Sequence, residues 1–533
     1  MAQAMEEPDG PAGETLPPRA TLLLLALAAG LLLFRLGAVP LLGPDEPRYV
    51  RVAVEMHRAG EHVTPTLQGR PWLEKPVLYY WLAGAAFSAL GETETAARLP
   101  SALAALAMIG ATALVGARLY GTAAGLHAGF VLATSLGVFV YGRAATMDML
   151  VASAITIGLG LFALGLLRVA GRLAIPVAYA ALAVATLAKG PIGFLLPGLV
   201  VFGHLVATRE RSALRRALSP VGIVLFLLVA GPWYALVYAA QGRAFVDTFL
   251  LNHNVQRFTS TIHNHPGSLL YYLPVLLLLL FPWSGLVLPA LAALRPRASR
   301  VDLFVLLWLL MPLAFFSAAA SKLPGYVVPC LPPLALLAGR AAAWIAAGAF
   351  EPPPWAAPRV VGVIGLALGT LIAMTPVLLM QQGEPAWRLT VPLGAWSLIT
   401  MFMASRVWSA QPAGAPAILR VAGAGFLLLL TAAAPVVLAR QQSGRALFLP
   451  AHGREVLVWN AWRTAWMSGY FYNDGRVREV SGLPEIQAAL GSGSALVLCG
   501  PSERRMLEGT SSLQTLALAV GPKQTTLLKV APR

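Results

Sequence analysis

Long apolar runs recur along this chain and constrain its fold more than any other feature. A helix needs about 20 mostly apolar residues to cross a bilayer, and its backbone must be satisfied internally because lipid offers no hydrogen-bond partner. Runs of that kind occur about 13 times, at roughly 20–40, 96–117, 122–140, 147–167, 173–188, 190–207, 219–240, 269–293, 301–320, 324–347, 359–380, 390–408 and 418–439. The 173–207 region reads as one kinked helix or as two short ones divided at Lys189-Gly190-Pro191. Two short ones make the topology self-consistent. Only 12% of the 533 residues are charged, against roughly 25% in soluble chains. The expectation is an all-α polytopic membrane protein of about 13 transmembrane helices.

Charge then orients the chain. The net charge of +16 is not a nucleic-acid signature, because the basic residues fall between alternate apolar runs and no basic arm or nucleic-acid motif is present. Arg118, Arg168, Arg172, the Arg209–Arg216 cluster, Arg295, Arg297, Arg300 and Arg340 share one side, which the positive-inside rule makes cytoplasmic. The opposite side receives residues 41–95, 241–268 and 441–533. Residues 1–19 are polar and rich in Pro and Gly, so they read as a disordered cytoplasmic tail. The run after Arg19 lacks the usual small-residue cleavage pattern and reads as a first membrane helix in a 20–440 membrane domain. Residues 441–533 alternate short strand patterns with an amphipathic helix near Pro484–Leu490, a small periplasmic α/β domain. Cys330 and Cys499 lie too far apart in sequence to suggest a metal cluster or a disulfide framework.

The first outward loop carries the chemistry. Asp45, Glu46, Arg48, Arg51, Glu55, Glu74 and Lys75 lie there among Tyr49, Trp72, Tyr79, Tyr80 and Trp81, and a loop of that length in a compact protein is usually functional. Asp45-Glu46 before Pro47 suits the start of an interfacial helix and also a carboxylate that accepts a proton or orients a nucleophile. Glu74-Lys75 is either an exposed ion pair, which contributes little, or a lysine for phosphate beside a carboxylate for metal or hydroxyls. Asp148, with Arg143 five residues before it, sits at the outer end of a span. Ionisable groups there are functional by default, the plainer alternative being an Arg143–Asp148 pair. Lys189 and Lys322 either snorkel to the interface or bind an anion. In 252–267, His253, Arg257, His263 and His265 are outward polar residues. His263 and His265 with Glu74 would make a metal site, but a hydrogen-bonded loop accounts for them more simply.

Together these residues resemble the bacterial lipid-linked-sugar glycosyltransferases of the protein O-mannosyltransferase and aminoarabinose (lipid A) transferase superfamily, which share the multi-spanning GT-C fold. The matching stretches are Asp45-Glu46-Pro47-Arg48-Tyr49, Glu74 to Trp81, Arg143 to Asp148, Lys189-Gly190-Pro191, Asn252 to Phe258 with His263 to Gly267, Phe281-Pro282-Trp283 and Ser321 to Tyr326. They occur in family order within about the first 340 residues, and the aminoarabinose branch looks nearest.

The resemblance implies an inverting transferase that moves a sugar from a polyprenyl (undecaprenyl) phosphate to an envelope lipid, glycan or protein at the periplasmic face of the inner membrane. It implies Asp45 as general base or acceptor-orienting group and Asp148 as the second acid. Arg48, Lys75 and Tyr326 become contacts of the phosphate or carrier lipid, with Lys189 and Lys322 as additions. Further substrate contacts are implied for Glu46, Tyr49, Tyr79, Arg143 and Arg257. Glu74 with His253, His263 or His265 is similar to a divalent-metal (Zn or Mg/Mn) site of such enzymes. A transporter or flippase of lipid-linked intermediates is the alternative from another class. It would bring inverted repeats, which the sequence does not display.

Overall fold

The computed structural model describes residues 15–256, 267–295, 297–349, 353–356, 394–396, 398–399, 402–403, 414–451, 453–491, 493–519 and 524–532. Most of these are helical. α1 (Pro18–Leu33) leads to α2 (Asp45–Ala59), a two-residue hairpin of β1 (Thr66–Leu67) and β2 (Arg70–Pro71), and α3 (Leu78–Leu90). There follow α4 (Glu94–Tyr120), α5 (Thr122–Ala133), α6 (Leu136–Gly142), α7 (Asp148–Leu166), α8 (Ala174–Lys189), α9 (Ile192–Thr208), α10 (Arg211–Ala217) and α11 (Pro220–Gln241).

Among the described residues, five helices are long and apolar enough to cross a membrane, or up to seven if each of two bent pairs is one span. Two of the expected spans are bent. The 122–140 run breaks between α5 and α6 by 57°, and the 269–293 run breaks by 116° between Tyr272–Leu280 and Trp283–Ala292. Pro282 explains the second break, since proline has no amide hydrogen and clashes with the preceding turn. At the first, Ser135 is extended and Leu136 N–H donates to the Phe281 carbonyl, tying the two bends together. The 173–207 region is two helices, parted at Gly190, whose φ is +83°. The spans expected at 359–380 and 390–408 lie wholly or mostly outside the described residues.

α7 is the hub. Nearly its whole length is buried, and it packs on α4, α8 and α9. Small residues permit this closeness, as in other membrane bundles: a Cβ on Gly125 of α5 would lie 2.4 Å from the Ala113 carbonyl oxygen of α4. By contrast, α11 exposes Leu227, Leu228 and Leu236, as a lipid-facing helix should.

After the helix Ala415–Gln442 the chain builds a five-stranded sheet in the order β4-β3-β5-β7-β6. Its strands are β3 (Val456–Trp459), β4 (Val477–Glu479), β5 (Ala495–Cys499), β6 (Ser511–Ala519) and β7 (Thr525–Pro532). β3 is parallel to β4 and β5, while β7 runs antiparallel to β5 and β6. Alternate residues serve opposite faces. Val456, Val458, Leu496 and Leu498 pack with Phe448 and Tyr470, whereas Leu457, Val497 and Cys499 pack with Ile486 and Leu507. Both cysteines are buried and free.

Candidate active site

The site is assembled from helix ends. α2 begins with Asp45 and Glu46 in its first turn, where the helix dipole favours carboxylates, but the two side chains have different fates. Asp45 is half-exposed and accepts from Arg48 at 2.6 Å. Glu46 is buried and pairs with Arg98 of α4 through both oxygens, at 3.2 and 2.8 Å. It also accepts the backbone amides of Leu42 and Ala145, each at 2.6 Å. One carboxylate therefore ties together the entry to α2, the start of α4 and the segment leading into Asp148. Arg98 spends its remaining donors on the carbonyls of Leu36, Val39 and Pro40. This removes Glu46 from the expected substrate contacts, because its oxygens are all committed within the protein.

Asp148 opens α7 and pairs with Lys189 at the end of α8. The Arg143–Asp148 alternative is therefore not what forms. Lys75 also acts electrostatically on Asp148, and Lys189 Nζ stands 5.2 Å from the Tyr326 ring centre. Gly325 approaches closely here: a Cβ would come within 3.1 Å of Asp148 Oδ2 and 3.0 Å of Tyr141. Tyr49 lies within electrostatic reach of both acids. Burial, then the nearby Asp45 and Asp148 carboxylates, push its phenol well above the ordinary value against the opposing pull of Arg48, so it stays a protonated donor. Arg48 stacks between Tyr49 and Trp72, 5.3 and 5.0 Å from the ring centres, and Glu74 acts on both Arg48 and Tyr80. Asp45, Arg48, Tyr49, Glu74, Lys75, Asp148, Lys189 and Tyr326 thus share one neighbourhood. Arg48 Nε, Trp72 Nε1 and Tyr80 Oη are buried there without an acceptor among the described residues. Unpaired buried donors are costly, and here three of them stand together, where an acceptor-rich ligand would satisfy them.

Three other expected substrate contacts turn out to be ties within the protein. Arg143 donates to the carbonyls of Leu31, Leu32, Phe34 and Arg35, closing the C-terminal end of α1, whose last carbonyls lack intrahelical partners. Lys322 is buried and donates to Phe316, Ser317 and Ala319, doing the same for the helix Arg300–Ala318. Tyr79 is fully buried and donates to Ala97 at 3.0 Å. Sequence reasoning missed Arg98, Trp72 and Tyr80. The aromatics were visible in the loop, but Arg98 lies inside an apolar run and gives no sign of its partner.

Arg257, His263, His265 and the side chain of His253 lie outside the described residues. Among those described, no group of three or more His, Cys, Asp or Glu could hold a metal, so Glu74 alone makes no such site. A separate hollow of about 450 Å³ lies between α2 and α3, lined by His57, Glu61, His62, Tyr80 and Trp81. Tyr80 lines this hollow and also belongs to the acid–base cluster.

Residues 74–235 match the family described as dolichyl-phosphate-mannose-protein mannosyltransferase. A relative from Yersinia pestis (strain Pestoides F), named undecaprenyl phosphate-α-4-amino-4-deoxy-L-arabinose arabinosyl transferase, is 31% identical over 394 residues, covering 68% of this chain and 69% of its own. The chain belongs to that arabinosyl transferase family. A Yersinia enterocolitica member is 34% identical over 309 residues, and this match spans about half of each protein, 55% of this chain and 54% of the relative. The fold agrees. The crystal structure of ArnT from Cupriavidus metallidurans bound to undecaprenyl phosphate superimposes with a TM-score of 0.77 at 24% identity, covering 95% of this chain and 97% of that one. Its apo state gives 0.79 at 22% identity.

Proposed function

We propose that this family member is an inverting glycosyltransferase that moves a sugar from undecaprenyl phosphate to an envelope acceptor such as lipid A, at the periplasmic face of the inner membrane. The observation that carries the reading is that two carboxylates, Asp45 paired with Arg48 and Asp148 paired with Lys189, both act on Tyr49, with Lys75 in reach of Asp148. The relatives' names and the ArnT likeness add the donor class. On this reading the site and the C-terminal sheet face the periplasm, which the odd number of about 13 apolar runs in the sequence supports.

The chemistry follows from charge. As the bond between the sugar's anomeric carbon and the phosphate oxygen breaks, its electron pair goes to the phosphate, and nearby cations stabilise the growing charge. We assign that role to Lys75 and Lys189, and the donors on Arg48, Trp72 and Tyr80 suit sugar hydroxyls or phosphate oxygens. The acceptor oxygen attacks from the opposite face, which inverts the anomeric centre. Asp45, half-exposed at the mouth of α2, takes the proton of an acceptor hydroxyl. For a phosphate acceptor, already an anion, it would only orient the group. Asp148, held by Lys189, stands beside the sugar.

Transfer from an undecaprenyl-phosphate aminosugar to lipid A, followed by mass spectrometry of both lipids, tests this. Asp45→Asn and Asp148→Asn should each lower kcat by about 10²-fold or more while the protein stays folded in detergent. Full activity in both variants would exclude the assignment. We further propose that any divalent ion binds Glu74, with His253, His263 and His265 as its other donors. No step above uses it. Metal analysis of purified wild type and Glu74→Gln decides the matter, and equal metal content in the two would remove Glu74 as a ligand.

A further inference from the structure

A second set of polar contacts, apart from the acid–base cluster, joins the C-terminal unit to the segment that carries Asp45. It centres on the turn Tyr472-Asn473-Asp474-Gly475, which precedes β4. Asp474 and Gly475 both have positive φ, 52° and 73°. The Asp474 Oδ1 atom accepts from Arg51 at 2.6 Å and from Arg58 at 2.7 Å, both on α2. Arg51 is braced by Glu55 at 2.8 Å, and Arg58 by Glu92 through two bonds of 2.8 and 2.7 Å. Gln68, from the β1–β2 hairpin, donates to the carbonyls of Gly475 and Val477 at 3.1 and 2.9 Å. The approach at Gly475 is so close that a Cβ would lie 3.0 Å from Arg51 Cζ.

Tyr472 completes the grip from the other side. Its hydroxyl accepts the Leu41 amide at 2.7 Å and donates to Glu94 at 3.0 Å. Leu41 lies just before Asp45, and Glu94 begins α4, one turn ahead of Arg98. An isolated exposed ion pair contributes little. Here, though, Arg51 is only 14% exposed, one aspartate serves two guanidinium groups, and a phenol reaches the segment before α2 and the start of α4 on the far side.

We propose that the Tyr472–Gly475 turn is a positioning element for sugar transfer: it holds the chain before and after Asp45 and Arg48, and so sets where the acceptor meets the donor. The proposal rests on the transferase reading. Tyr472 and Asp474 are positioning residues that act through α2 and touch no substrate.

The test uses the full chain in detergent, with Tyr472→Phe, Asp474→Ala, their double variant, Asp474→Glu, and Arg504→Ala as a control elsewhere on the same unit. Hydrogen exchange of residues 41–59 is measured without substrate. Donor KM and kcat are measured with undecaprenyl-phosphate aminosugar. In the double variant, exchange should quicken and kcat should fall, each by about tenfold, the equivalent of about 1.4 kcal/mol. Donor KM should stay within about twofold, Asp474→Glu should recover most of the loss, and Arg504→Ala should match wild type. Unchanged exchange in residues 41–59, unchanged kcat, or an equal loss in Arg504→Ala would each overturn the positioning role. A wild type with no transfer activity would instead sink the transferase reading and the positioning role with it, while exchange would still report whether the turn holds α2.

Discussion

Replacing Arg98 by methionine separates how the site is held from what the site does. The native guanidinium is 2% exposed, and it serves both Glu46 oxygens and three carbonyls from the α1–α2 connection. Methionine keeps much of the side-chain volume but strands a buried carboxylate that retains only the Leu42 and Ala145 amides. Removing one partner of a buried pair costs about 3–5 kcal/mol. The three abandoned carbonyls, now short of a donor, add to that cost. The apparent Tm in detergent should therefore fall by on the order of 5 °C, and transfer should fall with it as the segments leading into Asp45 and Asp148 lose their common anchor. Neutralising the partner removes the stranded charge, so Glu46→Gln/Arg98→Met should be more stable than Arg98→Met alone, with a coupling of about 1–3 kcal/mol in the cycle. Thermal unfolding of the four proteins, read beside sugar transfer, is the assay. A single variant within about 1 °C of wild type, or a double variant no better than the single, would refute the role given to the pair.

Other outcomes follow from the remaining contacts. Lys75→Ala should raise the donor KM by about tenfold or more, since a charge-assisted hydrogen bond is worth about 1.5–3 kcal/mol; an unchanged KM would remove Lys75 from the phosphate site. Arg143→Leu and Lys322→Met should each lower the Tm by several degrees while leaving the donor KM within about twofold, because each abandons helix-end carbonyls and no ligand. A KM shift without loss of stability would return them to the substrate. For Asp474, burial raises the carboxyl's pKa, but the Arg51 and Arg58 hydrogen bonds outweigh it and hold the group below its ordinary value of 3.8. A depressed carboxylate contributes stability above its unfolded pKa and loses it only as pH falls through the folded one. Protection of α2 should thus be the same at about pH 7 and pH 5, corrected for intrinsic exchange. A collapse at pH 5 would show that another group governs the contact.

Much of the helical frame was readable because lipid imposes a length and composition that few other environments require. The breaks were less so. Pro282 sits in the middle of a run, yet proline inside a membrane helix is compatible with a kink or a full turn away, and only the packing partner decides. Within the site, the neighbourhood was legible and the individual roles were not. Sequence places Glu46, Arg143, Lys189 and Lys322 alike at the outer membrane boundary, and each of them is a charge that must be satisfied there. Lys322 reaches carbonyls only 3 to 6 residues away, so its role was in principle visible as a basic residue just past a helix end. Arg143 reaches carbonyls 108 to 112 residues away, and Arg98 finds Glu46 across 52. No local pattern encodes such distances.

That difference suggests how to sort charges in chains of this kind. In a low-dielectric setting a buried polar group must find partners or cost free energy, so a polar group that serves only the fold should have its hydrogen-bonding capacity filled by the fold. Glu46 and Lys322 meet that standard, with every strong contact internal. Arg48 does not. One edge of its guanidinium holds Asp45, while its Nε, together with Trp72 Nε1 and Tyr80 Oη, is buried without an acceptor among the described residues. Asp45 likewise keeps half its surface open. What the fold leaves unfilled is thus a patch of donors next to an accessible carboxylate, with Lys75 and the Lys189–Asp148 pair close by. A sugar phosphate and a nucleophilic acceptor are the complementary pair: hydroxyl and phosphate oxygens for the donors, and a proton to give up for the carboxylate.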